Sequence, residues 1–211
     1  MDPRIGVLAL QGDFREHVDT LRALNVDAFE VRTLAQLDTC DGLILPGGES
    51  TTIARLLIAF DLLEPLRARI RSGMPVWGTC AGAILLAKRV PQLDRPPVGV
   101  MDITVDRNAF GRQIDSFEAE LNVREIEGAP IHAVFIRAPV LRDLGKNVEA
   151  LCTLGDGRIV ACREQNMLAT SFHPELTGDH RMHELFVRMV REAMGAPAKP
   201  RARAGTTRSR A

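Results

Sequence analysis

Met74-Pro75-Val76-Trp77-Gly78-Thr79-Cys80-Ala81-Gly82-Ala83-Ile84-Leu85-Leu86-Ala87-Lys88 is the stretch from which the rest of the chain can be read. A short apolar run leads into Gly78-Thr79-Cys80-Ala81-Gly82, and a second apolar run leaves it. The order predicts strand, sharp turn, helix. Glycine two residues to either side of the cysteine lets the backbone turn tightly and lift the thiol out of the fold. This is the logic of the G-x-S-x-G nucleophile elbow, with sulfur replacing oxygen. The helix N-terminus behind Cys80 favours a thiolate, the reactive form. A lone free cysteine more often only packs; the two flanking glycines reverse those odds, because packing does not need them.

Ser171-Phe172-His173-Pro174-Glu175 is the second element. Met167-Leu168-Ala169-Thr170 before it reads as a strand. In an extended segment His173 and Glu175, two apart, project from one face. Pro174 biases His173 away from the helical region, in keeping with that geometry. His173 is then a candidate base for Cys80, and Glu175 the group that sets its tautomer and orientation. On its own, His-Pro-Glu would read as a surface turn.

A third element is Leu43-Ile44-Leu45-Pro46-Gly47-Gly48-Glu49-Ser50-Thr51-Thr52, an apolar strand running through two glycines into a helix that begins near Ser50. Attack on a carbonyl creates an oxyanion, which needs N–H donors, and glycines free the backbone to supply them. A helix N-cap at Ser50 or Thr51 after a plain turn is compatible with the same residues.

Outward from these, the first half of the chain alternates. Arg4–Leu10, Ala28–Val31 and Leu43–Leu45 read as strands, Asp13–Leu24 as an amphipathic helix, and Thr51–Ile70 as helical with a break near Glu64-Pro65. After Lys88 shorter strands follow: Val98–Val105, Phe117–Arg124, His132–Ile136, Glu149–Thr153, Ile159–Cys162 and Leu168–Phe172, with a last helix over about Arg181–Met194. The first half argues for a parallel sheet with helices on both faces, and the second adds antiparallel strands. Cys80, Gly47 and His173 would then all lie at carboxyl ends of strands, where open α/β sheets hold ligands.

The chain resembles the class I (triad-type) glutamine amidotransferases. More narrowly, it is similar to the glutaminase subunits of two-component pyridoxal 5′-phosphate synthases. Six stretches carry the likeness: Gly6–Gly12, Leu45–Thr52, Gly78–Gly82, Arg107–Gln113, Phe135–Pro139 and Phe172–Leu176. It extends over roughly residues 4 to 194, one domain of ordinary size. It implies a three-layer α/β/α sandwich with a mixed, mainly parallel sheet, and a domain spanning residues 1–195. It implies a Cys80-His173-Glu175 triad, with oxyanion donors from Gly47, Gly48 and Ala81. Gly48, Glu49, Ser50, Arg107, Ile136 and Arg137 are implied to bind L-glutamine. Read without the likeness, Arg107 and Arg137 are arginines at strand ends, of a kind that usually has no role. Gln11 follows a strand and can face the same site. The implied products are glutamate and ammonia, the ammonia passing to a synthase subunit that builds pyridoxal 5′-phosphate. No metal or organic cofactor is implied for this chain.

Bulk properties agree with that reading. The 211 residues suffice for one well-buried domain. No apolar run is long enough to span a membrane, no signal-peptide pattern opens the chain, and a cytoplasmic location is expected. Cys40, Cys152 and Cys162 have neither disulfide density nor metal-ligand spacing and read as packing residues. His17, His132, His180 and His183 lack a partner motif, and Asp179-His180-x-x-His183 reads as a solvated helix start. Residues 196–211 carry five basic side chains and no acidic one, which leaves −5 on the rest of a chain of zero net charge. That tail is expected to be disordered and solvated rather than bound to nucleic acid, since no aromatic residue interleaves its charges. Two other functions fit the elbow less well. A cysteine peptidase or esterase would not demand free glutamine, and a non-catalytic binding module would not need all three of Cys80, His173 and Glu175.

Overall fold

Sheet-forming runs and amphipathic runs alternate through the first half of the computed structural model, which describes residues 2–91, 93–107 and 116–195. In chain order come β1 (Arg4–Leu8), α1 (Phe14–Ala23), β2 (Asp27–Val31), α2 (Leu34–Asp38), β3 (Gly42–Leu45) and α3 (Ser50–Ala59). Next are α4 (Leu63–Arg71), β4 (Val76–Thr79), α5 (Ala81–Leu86), β5 (Ala87–Arg89), β6 (Met101–Asp106) and β7 (Ser116–Leu121). The rest are β8 (Ile131–Ile136), β9 (Val140–Arg142), β10 (Glu149–Thr153), β11 (Ile159–Glu164), β12 (Met167–Thr170) and α6 (Arg181–Gly195). A single 3-10 turn at Pro174–Leu176 follows β12. The expected tail and most of the Arg107–Gln113 stretch lie outside the described residues.

Ten strands form one sheet in the order β2-β1-β3-β4-β12-β11-β9-β6-β5, with β10 paired to β11. The five strands from β2 to β12 run parallel. β11 turns antiparallel against β12, and β9 against both β11 and β6. β7 and β8 form a separate antiparallel pair. Strand period two divides the core cleanly. Leu43, Leu45, Val76 and Ala169 belong to one buried cluster, shared with α3, α4 and α5. Ile44, Trp77 and Leu168 belong to the other, shared with α1, α6 and the β7–β8 pair. Helices therefore cover both faces, and the three-layer α/β/α sandwich with a mainly parallel sheet is the fold.

Some boundaries differ from the sequence reading. The long helix expected over Thr51–Ile70 does not break at Glu64-Pro65. It breaks at Phe60–Leu62, where Asp61 takes φ 54° and the Leu62 N–H donates back to the Leu57 carbonyl at 2.9 Å. Pro65 is instead the third residue of α4, where an N–H has no intrahelical acceptor and proline does no harm. β1 stops at Leu8, since after the Ala9 N–H bond to Val31 the chain bends away to meet Gly47.

The glycines of the elbow have a packing role as well as a turning role. A Cβ on Gly82 would lie 1.9 Å from the Leu45 carbonyl oxygen, and one on Gly78 would lie 2.4 Å from the Gly82 carbonyl carbon. α5 thus starts in direct contact with the backbone at the end of β3. Gly82→Ala is expected to destabilise the fold by about 3 kcal/mol, a fall in Tm of roughly 6–12 °C, because backbone on both sides must move. A thermal melt of the variant within about 2 °C of wild type would show that α5 can slide off Leu45 at little cost.

Candidate active site

β3, β4 and β12 are neighbours in the sheet, and each ends in one part of the site: Gly47-Gly48 after β3, Cys80 after β4, His173 shortly after β12. Cys80 stands at φ 46°, ψ −102°, a backbone conformation that costs a non-glycine residue on the order of 1–3 kcal/mol. Its N–H donates to the Thr170 carbonyl at 2.8 Å, and its own carbonyl accepts from Ile84 in the first turn of α5. The elbow is thereby tied to β12 and to the helix it opens. The thiol is not lifted clear of the fold as expected. Cys80 is only 7% exposed and lies at the floor of a cleft, with Sγ 3.9 Å from the Ile136 carbonyl oxygen.

His173 is held by its N–H, which donates to the Val134 carbonyl of β8 at 2.8 Å. Its Nδ1 lies 2.7 Å from Glu175 Oε1, and its ring lines the same cleft as Cys80. The carboxylate does not reach Nδ1 from an extended segment, as the sequence reading supposed. Pro174 starts the 3-10 turn, and this turn brings Glu175 round to the imidazole. Burial works hardest against charge on His173, but hydrogen bonds and charge from Cys80 and Glu175 outweigh it and push the imidazole up to about 10. His173 is therefore a proton carrier at neutral pH. Burial pushes the Glu175 carboxyl up, and the opposing pull of His173 does not cancel the rise.

The two-glycine loop closes against these groups. Gly47 packs so near His173 that a Cβ there would fall 2.5 Å from Cε1. The Gly47 carbonyl accepts from the Asp13 N–H at 3.1 Å, which fixes the 47–48 peptide plane and turns the Gly48 N–H to the opposite side. Gly48 has φ 148°, and a Cβ on it would meet the Gln11 amide oxygen at 2.6 Å. That same oxygen accepts from the Glu49 N–H at 2.7 Å. The N–H of Ala81 belongs to the first turn of α5, where N–H groups lack an intrahelical acceptor.

One cleft of about 570 Å³ gathers these elements, a volume suited to a small ligand. Cys80, His173, Gly48, Glu49, Ser50, Arg107, Ile136 and Arg137 all line it. Glu175 stands behind His173 and away from the opening. Gln11, Asp13 and Ile84 also line the cleft. Asp13 had no signal in the sequence beyond opening the helical run Asp13–Leu24; its carboxylate is 3.6 Å from His173 Nδ1. Asp13, His173 and Glu175 bring potential ligand atoms within 4.8 Å of one another, but His173 Nδ1 is committed to Glu175 there. Glu49, not Ser50 or Thr51, caps α3, accepting from the N–H groups of Thr51 at 3.0 Å and Thr52 at 2.6 Å. Arg107 reaches the same carboxylate at 3.4 Å. Burial would raise the Glu49 carboxyl, and the capping bonds overcome it to give a net lowering.

The other cysteines differ in kind. Burial pushes the Cys40 thiol up to about 11 and Cys162 up to about 12, and it raises Cys152 as well. None lines the cleft, and each packs in a core cluster as expected.

A cysteine on a strand–helix elbow, facing an imidazole backed by a buried carboxylate at the carboxyl edge of a parallel sheet, suits acyl transfer through a thioester. That fold and that site together define the class I glutamine amidotransferase type. The chain belongs to the SNO glutamine amidotransferase family, which it matches over residues 7–192. It is 56% identical to the pyridoxal 5′-phosphate synthase subunit PdxT of Roseiflexus castenholzii, covering 88% of this chain and 99% of that one. To the protein of the same name in a Parafrankia species it is 58% identical, over 92% and 96% of the two chains. A crystal structure of a glutamine amidotransferase superposes with a TM-score of 0.83 at 48% identity, covering 88% of this chain and 98% of that one. Among the described residues no helix is long and apolar enough to cross a membrane.

Proposed function

We propose that this chain hydrolyses L-glutamine and passes the ammonia to a synthase subunit that makes pyridoxal 5′-phosphate. The observation that carries this is the meeting of Cys80 and His173 in one cleft, with Glu175 Oε1 2.7 Å from the His173 imidazole. Cys80 attacks the side-chain amide carbon. The N–H of Gly48, in the Gly47-Gly48 loop, and that of Ala81 hold the oxyanion. His173 gives its proton to the departing ammonia, then takes one from the water that cleaves the glutamyl thioester. Glu175 keeps His173 oriented and charged. Arg107 and Arg137 supply cations for the substrate carboxylate, and Glu49, Ser50 and the Ile136 carbonyl supply acceptors for its ammonium. A reducing cytosol, where a free thiol persists, suits this chemistry.

Ammonia released into water protonates and loses its nucleophilicity, so transfer inside a complex is the economical arrangement. The 47–48 peptide gives a partner something to act on. Rotating it would exchange the Gly47 carbonyl for the Gly48 N–H, and glycine allows that at little steric cost. Steady-state glutamate production should therefore be low for the chain alone and rise roughly 10-fold or more as the synthase subunit is titrated in. Full turnover by the chain alone, unchanged at saturating partner, would leave a free-standing glutaminase. Turnover of esters or peptides with glutamine ignored would favour a different cysteine hydrolase.

A further inference from the structure

Beneath the triad lies a buried polar chain that the reaction as written does not use. His17 on α1 and His183 on α6 are both fully buried, although neither has a partner motif in the sequence and His183 reads there as solvated. His17 Nδ1 lies 2.9 Å from His183 Nε2. His17 Nε2 lies 3.2 Å from Thr79 Oγ1 and 3.4 Å from Glu175 Oε2. Trp77 packs edge-on against both imidazoles, with ring centroids 5.7 Å and 5.0 Å away. Glu175 Oε2 has no hydrogen bond of ordinary geometry among the described residues, and neither has His183 Nδ1.

We infer that His17 is a positioning residue of the triad, in which a neutral imidazole carrying its proton on Nε2 holds the outer oxygen of Glu175, with His183 fixing that tautomer. The inference rests on the glutaminase reading, and the proton positions follow from which buried atoms can be left bare. Suppose His17 carried its proton on Nδ1. It would donate to His183 Nε2, forcing the His183 proton onto Nδ1, a buried N–H with no acceptor. A lone pair on His17 would then face the Glu175 carboxylate. An unmatched buried donor costs about 1–3 kcal/mol. In the opposite arrangement His183 Nε2–H donates to His17 Nδ1, and His17 Nε2–H is shared between Thr79 Oγ1 and Glu175 Oε2. Only the lone pair of His183 Nδ1 is then left bare. Both ends of the chain select this tautomer.

Charge supports the same assignment. Burial first, then the His183 and His173 charges, hold His17 well below its usual value, and burial drops His183 to about 3. Both are neutral where the enzyme works, so one N–H is available and it needs a fixed direction. A donor on Oε2 favours the carboxylate form of Glu175 against the burial that disfavours it. The carboxylate in turn keeps the proton on His173.

The direct test is 1H–15N NMR of the full chain labelled with 15N-histidine, with the His17 signals assigned by their loss in His17→Gln. Neutral Nε2–H imidazoles are expected for His17 and His183 at pH 7; an Nδ1–H tautomer at His17 would overturn the inference whether or not the chain is active. The second test is glutamate production in the synthase complex. His17→Phe fills the space without a donor and is expected to lower kcat roughly 10-fold, with KM for glutamine within about twofold. His17→Gln, which keeps an N–H donor, should recover part of that loss. Wild-type kcat in a folded His17→Phe variant would overturn the role. No glutamate release by the wild-type complex would instead overturn the glutaminase reading, and the tautomer measurement would stand apart from it.

Discussion

Cys80→Ala is expected to lower glutamate release by about 10⁴-fold or more in the presence of saturating synthase subunit, with glutamine still bound in the cleft. Sulfur is the only group at the cleft floor that can form the thioester, and the three other cysteines are buried away from it in core clusters. Water positioned by the remaining groups would account for the residue of activity. The variant should fold, because alanine keeps the Cβ and the Cys80 backbone bonds to Thr170 and Ile84 do not involve the side chain. A further variant separates chemistry from stability. Cys80 carries a Cβ at φ 46°, and Cys80→Gly removes both the thiol and that strain. Its melting temperature is expected to equal or exceed that of Cys80→Ala while activity stays lost. Activity near wild type in Cys80→Ala would reject the mechanism. A Cys80→Gly variant melting well below Cys80→Ala would show that the positive φ is not strained in its surroundings.

How far the sequence foretells this site depends on whether the signal is local. The elbow is local in its signal: Gly78 meets the Gly82 backbone four residues on, within the motif itself, although Gly82 also meets Leu45 of the neighbouring strand. The alternation that placed Cys80, Gly47 and His173 at strand ends is local too, and three adjacent parallel strands carry them. The His173–Glu175 pair was legible as a pair but not in its geometry, since a two-residue spacing fits an extended segment and a 3-10 turn alike. What the sequence could not give depends on long-range packing. His17 and His183 are 166 residues apart and meet only because α1 and α6 cover the same face of the sheet. Nothing in Asp179-His180-x-x-His183 separates the buried histidine from a solvated one except the apolar period of α6, into which His183 falls beside Met182, Phe186 and Val187. Asp13 was missed for the same reason, because only the fold brings its turn against Gly47.

His173→Ala is expected to be nearly as damaging as loss of Cys80, and Glu175→Gln to leave more turnover. His173 moves the protons, whereas Glu175 acts through it, and an orienting group often contributes less than the group it holds. Because the members act as a unit, the Cys80→Ala, His173→Ala double variant should be about as slow as either single one. A double defect equal to the product of the single defects would mean that the two side chains work separately. The pH profile gives an independent reading. Departing ammonia needs the proton on His173, and burial, the force opposing that proton, is outweighed by Cys80 and then Glu175, which together hold the imidazole up at about 10. The alkaline limb of kcat/KM should therefore fall near pH 10. In Glu175→Gln a negative charge and a hydrogen-bond acceptor that favour the imidazolium are gone, while burial remains. The His173 proton is then lost at lower pH, and the alkaline limb must move down. An alkaline limb that stays in place in Glu175→Gln, or moves up, would sever Glu175 from His173 and leave the 2.7 Å contact between them without a catalytic consequence.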